Sequence, residues 1–314
     1  AKRLEQLNDD LHKRLDRRYD FSVALQLMQV LQNMCEGHYT DMQNYMREQH
    51  DNQISINVLE SITGVLDMLA KAIDRTTFDL AVQTLATLTE LVQGPCFGNQ
   101  VFITSQNIGE TITKIIGTTY GDCTEEQLWE LRVAAVTLLQ SLFEGHMNTH
   151  LVTTLIQSIS YASLVRLMDE TYKKFQEDRG EGGEGNVLTK GFDVGKDLAK
   201  GLLFGLGEED EFTDKLNLAC NIFIFLKATL DIQALTIGRD DDKENDSFFD
   251  RDGLTVKEAF RSSTSYKQLS KKVATLEIAR NGTIEKAYFR KPQVSVLNLK
   301  PASMDRVIKE VDRN

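Results

Sequence analysis

Proline is scarce in this chain: there are three in 314 residues, and none comes before Pro95. Because proline interrupts helices, its absence from the N-terminal part leaves room for long helices there. The chain also has only four cysteines, Cys35, Cys96, Cys123 and Cys220, far apart and without a C-x-x-C pair. Their spacing predicts free thiols in a reducing compartment, and it indicates neither a zinc site nor a disulfide framework.

Positive charge is also in deficit, because 36 lysines and arginines stand against 47 acidic residues, for a net charge of −11. A binder of nucleic acid needs a basic face to neutralise phosphates, so this balance argues against nucleic acid and favours a cation as partner. The longest strongly apolar run, Leu216 to Leu226, is much shorter than the roughly 20 residues that cross a bilayer. We therefore expect no membrane span in this segment.

The chain begins without a methionine or an apolar leader, directly in the charged helical pattern AKRLEQLNDDLHKRLDRR. This beginning predicts a segment of a longer protein.

Apolar residues recur at helical spacing through the first 175 residues. Stripes predict one helix from Phe21 to Cys35, a second from Leu59 to Leu69, and a third from Leu80 to Leu91, which Gly94-Pro95 ends. A capping box of Thr124 and Gln127 predicts the start of a fourth, and further helices are predicted at about 149–159 and 161–176. Such a series of helices without strands predicts a mainly α fold, an armadillo- or HEAT-like helical solenoid, over residues 1–177.

Two later regions differ in composition. Residues 178–210 are rich in glycine and acidic residues, which predicts a flexible linker. Residues 211–314 predict a small α+β domain with a helix at about 211–235, an exposed acidic loop (RDDDKENDSFFDRDG), a β-hairpin and a short helix at about 302–313.

The hairpin lies in VATLEIARNGTIEKAYF, with Asn281-Gly282 as a two-residue type I′ turn. This turn sets the register: Ile278 opposite Glu285, Glu277 opposite Lys286, and Leu276 opposite Ala287. One face then carries Ala274, Leu276, Ile278, Ala287 and Phe289. Because a lone hairpin is marginally stable, we expect this apolar face to rest on helices or on a neighbouring subunit.

No motif in the sequence indicates a catalytic site. The acidic motif Asp250-Arg251-Asp252-Gly253 resembles part of an EF-hand loop, but with Gly253 at the sixth position the first ligand would be Phe248. The five histidines form no H-E-x-x-H pair, and no serine or cysteine lies in a nucleophile elbow. The prediction is a protein that is not an enzyme.

Glu36 and Glu90 each lie near the predicted end of a helix, before Gly37 and Gly94-Pro95 respectively. Helix C-termini expose carbonyl oxygens and the negative end of the helix dipole, so a carboxylate there adds to a site suited to a hard cation. Most glutamates at helix ends are simply solvated, however. The residues alone therefore give this pair no special weight.

Four stretches together resemble the calcium-release channel family of inositol 1,4,5-trisphosphate receptors and ryanodine receptors. The first is similar to the family's apolar helix, Cys-Glu-Asn-His turn and D-x-Q-N-[FY]-[LM]-R helix. The second, Leu85 to Gln100, is similar to the family's S-L-T-E-[YF]-x-Q-G-P-C-x-x-N-Q pattern. The third, Asn221 to Leu226, is similar to the family's H-N-I-Y-I-L helix. The fourth, the hairpin from Ala274 to Phe289, is similar to the family's A-Q-I-E-I-V-R…M-E-Q-I-V-F stretch, and its presence favours an inositol trisphosphate receptor over a ryanodine receptor. Residues of the first stretch are Cys35, Glu36, Gly37, His38, Asp41, Gln43, Asn44, Tyr45, Met46 and Arg47.

The resemblance implies a homotetrameric, ligand-gated calcium channel of the endoplasmic reticulum membrane, with this segment on its cytoplasmic face. The segment would comprise the receptor homology-associated domain and the linker domain that leads to the pore, in contact with other domains and subunits of the channel. In such channels two glutamates of this domain and a threonine of the C-terminal domain hold an activating Ca²⁺. Carried over, the glutamates are Glu36 and Glu90, with His38 and Gln93 as supporting groups, so the Ca²⁺ site is incomplete in this segment.

Two alternatives stay open from the sequence. A free-standing α-solenoid scaffold that binds partner peptides would show the same helical periodicity. A hydrolase would need convergent acids with a nucleophile or a metal, and the sequence supplies no such set.

Overall fold

The computed structural model describes residues 21–145, 149–178, 211–237, 249–280 and 283–291. It is mainly helical, with one small antiparallel sheet of two strands in this part of the chain. Most of the predicted linker 178–210, the Asn281-Gly282 turn and the predicted helix 302–313 lie outside the described residues.

The predicted helices and hairpin strands that fall within the described residues are present, together with shorter helices that the sequence did not predict. In chain order they are α1 (Ser22–Cys35), α2 (Thr40–Arg47), α3 (Val58–Leu69), α4 (Phe78–Val92), α5 (Phe97–Ser105), α6 (Ile108–Gly117), α7 (Glu125–Phe143), α8 (Thr149–Ser158), α9 (Tyr161–Asp178), α10 (Glu211–Ile237), α11 (Val256–Ser262), α12 (Tyr266–Lys272), β1 (Val273–Arg280) and β2 (Thr283–Arg290).

The chain divides into two compact units, and each unit is made of two separate stretches of sequence. The first comprises Ala1–Leu167 with Ile232–Arg261, and the second comprises Met168–Asp231 with Ser262–Asn314. The predicted division into 1–177, 178–210 and 211–314 stays a prediction, and so does the armadillo- or HEAT-like arrangement of the helices.

Helix α4 lies at the centre of the first unit, packed against α1, α3 and α7. Ten of its fifteen residues are buried, including Leu85, Leu88 and Leu91, which are fully inaccessible to solvent. Three threonines are buried with them, and each hydroxyl donates to the carbonyl of the residue four positions earlier. These bonds satisfy the hydroxyls, so a helix with polar side chains can be surrounded by protein.

The predicted capping box at the start of α7 is confirmed. The backbone N–H of Gln127 donates to the Thr124 hydroxyl, and the Thr124 N–H donates to the Gln127 side chain at 2.9 Å. Both bonds satisfy amides that the first helical turn leaves without partners. The apolar stripe that follows is buried at Leu131, Ala135 and Leu138.

Asp250 is an exception to the predicted exposed acidic loop, in which Arg251, Asp252 and Gly253 are exposed and residues 239–248 lie outside the described part of the chain. Asp250 itself is only 5% exposed. Its Oδ1 accepts from the backbone N–H groups of Asp252 and Leu254, and its Oδ2 accepts from Tyr161 N–H at 2.6 Å. Tyr161 begins α9, so a carboxylate here satisfies an orphan amide of the first turn and meets the positive end of the helix dipole. High charge density therefore did not prevent burial, because backbone amides compensate the charge.

The second unit has a core of side chains from α9, α10 and α12. The rings of Phe223 and Tyr266 lie 5.7 Å apart, and the Lys272 ammonium lies 5.6 Å from the centre of the Phe175 ring. Asp169 accepts from the Ser263 hydroxyl and from the backbone N–H groups of Thr264 and Ser265. One carboxylate on α9 thus holds the turn that precedes α12.

The hairpin has the predicted register, with Leu276 opposite Ala287, Glu277 opposite Lys286, and Ile278 opposite Glu285. Leu276 is 54% exposed and Phe289 is 42% exposed, so the described helices do not cover these two side chains of the apolar face, and its coverage by a neighbouring subunit stays a prediction. The opposite face meets α10 instead: the Tyr288 hydroxyl donates to the Asp231 carboxylate, and Lys286 Nζ lies 3.7 Å from it. This face also buries Val273, which is 7% exposed, so polar pairing and apolar burial both attach the hairpin to its unit.

No single helix in the described ranges is long and apolar enough to cross a membrane. The bent pair His150–Ser158 and Tyr161–Asp178, with an angle of 71° between its halves, passes the same test of length and composition when taken together.

Candidate functional site

Glu36 lies at the C-terminal end of α1, where the chain turns sharply towards α2. It follows Cys35, the last helical residue, and its side chain is exposed. The turn needs two consecutive left-handed residues, Gly37 at φ +74° and His38 at φ +59°. Glycine adopts this conformation at no steric cost, which explains its place directly after Glu36. The turn holds the Glu36 carboxylate at a helix C-terminus, as the sequence predicted.

Glu90 lies in the last turn of the central helix α4 and is half-buried. Its Oε1 accepts from the Gln93 side chain at 2.7 Å. Its Oε2 is buried and accepts no hydrogen bond from the described residues. A carboxylate oxygen without a donor is costly in a protein interior, so this atom is available to a further donor or a cation.

Gln43 on α2 connects the two segments that carry the predicted ligands. It is fully buried, and its Nε2 donates to the Glu90 carbonyl at 2.6 Å and to the Gln93 carbonyl at 3.0 Å. The C-terminal carbonyls of a helix lack partners within the helix, so Gln43 satisfies two groups that α4 leaves open. This contact fixes the end of α4 against the start of the chain segment that follows Glu36.

His38 packs directly on Gly94, just beyond the end of α4. Gly94 has φ +105°, and a Cβ added there would lie 2.6 Å from the Cβ of His38. Only glycine fits this approach. The residues that follow Glu36 and the residues that follow Glu90 are therefore in contact.

The electrostatics of Cys35 agree with this proximity. Burial raises the pKa of the Cys35 thiol to about 11, and the negative charges of Cys96 and Glu90 add to the effect. The residue directly before Glu36 is thus within electrostatic range of Glu90. A thiol with so high a pKa stays protonated at neutral pH.

Several motif residues hold the site without contacting a candidate ligand. The Asn99 side chain donates to the carbonyls of Gln43 and Leu91, each at 2.8 Å, and Arg47 donates to Asn99 Oδ1 at 2.6 Å. Gln100 donates to the Ser141 carbonyl at 2.8 Å. These residues lie in the two matched motifs, but only the fold shows that one motif is bonded to the other.

Glu144 was not singled out by the sequence. Its Oε2 accepts from the backbone N–H of Gly94 at 3.2 Å, and its side chain is exposed. It adds a carboxylate to the surroundings of His38 and Gly94, and no motif in its own neighbourhood pointed to it.

Among the described residues, no group of three or more histidine, cysteine, aspartate and glutamate side chains is placed to hold a metal ion. The structure brings together the segments that carry Glu36, His38, Glu90 and Gln93. Glu36 and Glu90 each carry carboxylate oxygens, the type of ligand that a hard cation such as Ca²⁺ prefers.

Residues 18–116 match the family model described as RyR and IP3R Homology associated. This range holds α1 to α6 nearly complete, and it includes both glutamates and the Gln43 contact. The resemblance inferred from the sequence motifs is therefore confirmed for this part of the chain.

The chain is also similar to the inositol 1,4,5-trisphosphate receptor itr-1 of Caenorhabditis elegans. The two are 35% identical over 96 residues, which is 27% of this chain and 3% of the relative. The chain thus spans a small fraction of that receptor's length.

Proposed function

We propose that this chain is a cytosolic regulatory and coupling segment of an inositol trisphosphate-gated calcium-release channel, and that it contributes part of the activating Ca²⁺ site. The observation that carries the proposal is the Gln43 contact, which joins the segment after Glu36 to the end of the helix that carries Glu90. The match over residues 18–116 supports the assignment to this channel family. The similar protein is named as a receptor, which supports a role other than catalysis.

Glu36 and Glu90 are the proposed ligands, with His38 and Gln93 as their supports. The buried Oε2 of Glu90 fits a cation because it accepts no hydrogen bond within the described residues. Gln93 fixes the other carboxylate oxygen through its side-chain amide. When bound, Ca²⁺ would neutralise the two carboxylates and link the helices that carry them.

Ca²⁺ prefers about six to eight oxygen ligands, and two carboxylates cannot supply them. The site is therefore proposed to be completed by another part of the same channel and by water. A ligand shared between two domains binds best when they are docked, so Ca²⁺ would stabilise the docked conformation. The second unit and its hairpin would transmit this movement towards the pore, in a homotetramer at the cytoplasmic face of the endoplasmic reticulum.

Calcium activation of the channel that contains this chain tests the proposed ligands. We expect Glu90→Gln to shift the activating Ca²⁺ concentration upward by about tenfold or more, because an amide is a weaker ligand than a carboxylate. Glu36→Gln should shift it in the same direction. Glu60→Gln, an exposed glutamate of α3, is the control and should leave activation unchanged. Equal responses of all three variants would contradict the assignment.

Calorimetry on this chain alone tests whether the site is shared. We expect weak Ca²⁺ binding, because the remaining ligands come from elsewhere. Sub-micromolar binding that Glu36→Gln and Glu90→Gln abolish would show a complete site within the chain and refute sharing. A gene that encodes no membrane helices beyond this segment would instead support the α-solenoid scaffold and refute the channel role.

A further inference from the structure

The second unit gathers four basic residues at the base of the hairpin, where β1 begins and β2 ends. Lys271 and Lys272 are the last residues of α12, and Arg290 lies beside them because it pairs with Val273. The backbone N–H of Lys291 donates to the Lys272 carbonyl at 2.8 Å, and Lys291 Nζ donates to the Lys271 carbonyl at 2.9 Å. Lys271, Lys272, Arg290 and Lys291 thus form a basic cluster from two distant stretches of sequence.

The basic cluster has no acidic partner in the part of the chain that the structure describes. None of its four residues forms an ion pair there. Acidic side chains elsewhere in the unit have other partners: Asp178 lies 2.8 Å from Lys215, and Asp231 accepts from Tyr288. Because neighbouring like charges repel one another, a bound anion would stabilise the cluster.

Arg290 gives a more specific indication of a ligand. Its Nη1 is buried and has no hydrogen-bond partner among the described residues. A guanidinium has five N–H donors, and a buried donor without an acceptor is costly. Lys271 and Lys272 also complement the negative end of the α12 dipole, but Arg290 lies on β2 and has no such role. Arg290 is only half-buried, so part of its side chain is open to solvent.

Lys272 and Arg290 converge on one place, because the Cys220 thiol lies within electrostatic range of both. Burial raises the pKa of this thiol to about 11, although the two cations act in the opposite direction. The thiol therefore stays protonated at neutral pH. The Lys272 ammonium also lies 5.6 Å from the centre of the Phe175 ring. Neither contact supplies a negative charge to the cluster.

We propose that the basic cluster binds a phosphate-bearing anion, with Arg290 as the central contact and the three lysines around it. The guanidinium fork matches phosphate because it donates to two oxygens at once, and lysine ammonium groups add charge without a fixed geometry. A phosphate monoester carries up to about two negative charges and three acceptor oxygens, so four cations favour it over a carboxylate. The group can belong to a free phosphate compound or to a lipid headgroup. The proposal is independent of the calcium site, because the whole cluster lies in the second unit.

Calorimetry of the full chain with inorganic pyrophosphate tests the site. We expect one saturable site whose affinity falls as the salt concentration rises. Arg290→Gln should weaken binding by at least about tenfold, because it removes the charge and the paired donors, and Arg290→Lys should recover part of the loss. Lys257→Gln, at an exposed position of α11, removes a positive charge outside the cluster and should leave the affinity unchanged. If Arg290→Gln unfolds the chain, the double variant Lys271→Gln, Lys291→Gln at two exposed positions takes its place.

Vesicle sedimentation identifies the source of the phosphate group. If the ligand is a headgroup, phosphatidylcholine vesicles that contain a phosphatidylinositol phosphate should bind the chain, and pyrophosphate should release it. Binding of pyrophosphate without binding to these vesicles assigns the site to a free phosphate compound. Both results support the phosphate site.

Four results would overturn the proposal. Neither probe binds at low salt, or Arg290→Gln and Lys257→Gln weaken binding equally. Polyglutamate binds as tightly as pyrophosphate, which would show attraction to any polyanion. Vesicles of phosphatidylcholine alone bind the chain while pyrophosphate does not, which would assign the contact to the exposed apolar face of the hairpin.

Discussion

Asp250 and Glu90 are both carboxylates enclosed by the first unit, but their surroundings differ. Each oxygen of Asp250 accepts at least one backbone amide. Glu90 has one oxygen bonded to Gln93 and one buried oxygen without a donor among the described residues. The difference separates a carboxylate that stabilises a turn from one that is available to a ligand, since burial of a charge is tolerated only when it is compensated.

The comparison predicts that the Asp250 carboxylate makes a large contribution to stability. Asp250→Ala should lower the free energy of unfolding by about 3 kcal/mol, because it leaves backbone amides of α9 and of the turn without acceptors. Urea unfolding measures the change. Asp51→Ala, at an exposed position, is the control, and equal losses in the two variants would show that the Asp250 bonds contribute nothing special.

The turn beside Glu90 should be the next most sensitive position. Gly94→Ala should cost about 2 kcal/mol, because alanine is strained at positive φ and its Cβ would collide with His38. Gly64→Ala on α3 is the matched control, since a Cβ there meets nothing within 4 Å. It should stabilise the helix by up to about 1 kcal/mol. Thermal unfolding of both variants checks the opposite signs.

Substitution of Gln43 tests a residue that supports the candidate site but is not a proposed Ca²⁺ ligand. Gln43→Met keeps the volume but removes two hydrogen bonds to the end of α4, so we expect a loss of about 1 to 2 kcal/mol in unfolding free energy. Hydrogen exchange in residues 90–96 should rise as well. Gln53→Met, at an exposed position, should change neither quantity. A variant with unchanged exchange at 90–96 would show that the Gln43 contact does not hold the end of α4.

Substitution of Asp169 should have the smallest effect on stability, and that effect should disappear in acid. Burial acts to raise its pKa, but hydrogen bonds from Ser265, Ser263 and Thr264 outweigh it and hold the pKa below the usual 3.8. The stabilisation is therefore present at neutral pH and is lost as the pH falls through the lowered value. Asp169→Asn should cost about 1 kcal/mol at pH 7 and nearly nothing at about pH 2, by urea unfolding at each pH. A pH-independent difference would contradict this origin.

The sequence predicted elements whose cause is local. The Thr124 capping box, the stripes of α1, α3 and α4, and the register of the hairpin depend on residues within a few positions of one another. The exposure of the hairpin's apolar face could not be predicted, because Asp231 on a distant helix binds the opposite face. Asp250 was misjudged for the same reason, since one of its donors is Tyr161 on α9.

The sequence predicted that Glu36 and Glu90 lie near helix ends, as they do, but it did not predict the contacts that join the segments around them. Glu36 and Glu90 came from motif resemblance, and each alone is an ordinary glutamate near a helix end. Gln43 belongs to a motif that the sequence analysis named. Its contact with Glu90 joins residues 47 positions apart in sequence, and helical periodicity says nothing about contacts at that separation. Glu144 had no signal at all in the sequence, because it meets Gly94 only through the packing of α7 beside α4.

The most direct test of the proposed site is an experimental structure of the calcium-bound channel that contains this chain. The proposal predicts one ion that contacts both Glu36 and Glu90 carboxylates at about 2.3–2.6 Å, with the remaining ligands from another domain and water. An ion held elsewhere, or carboxylates of Glu36 and Glu90 too far apart for a single ion to touch both, would contradict it.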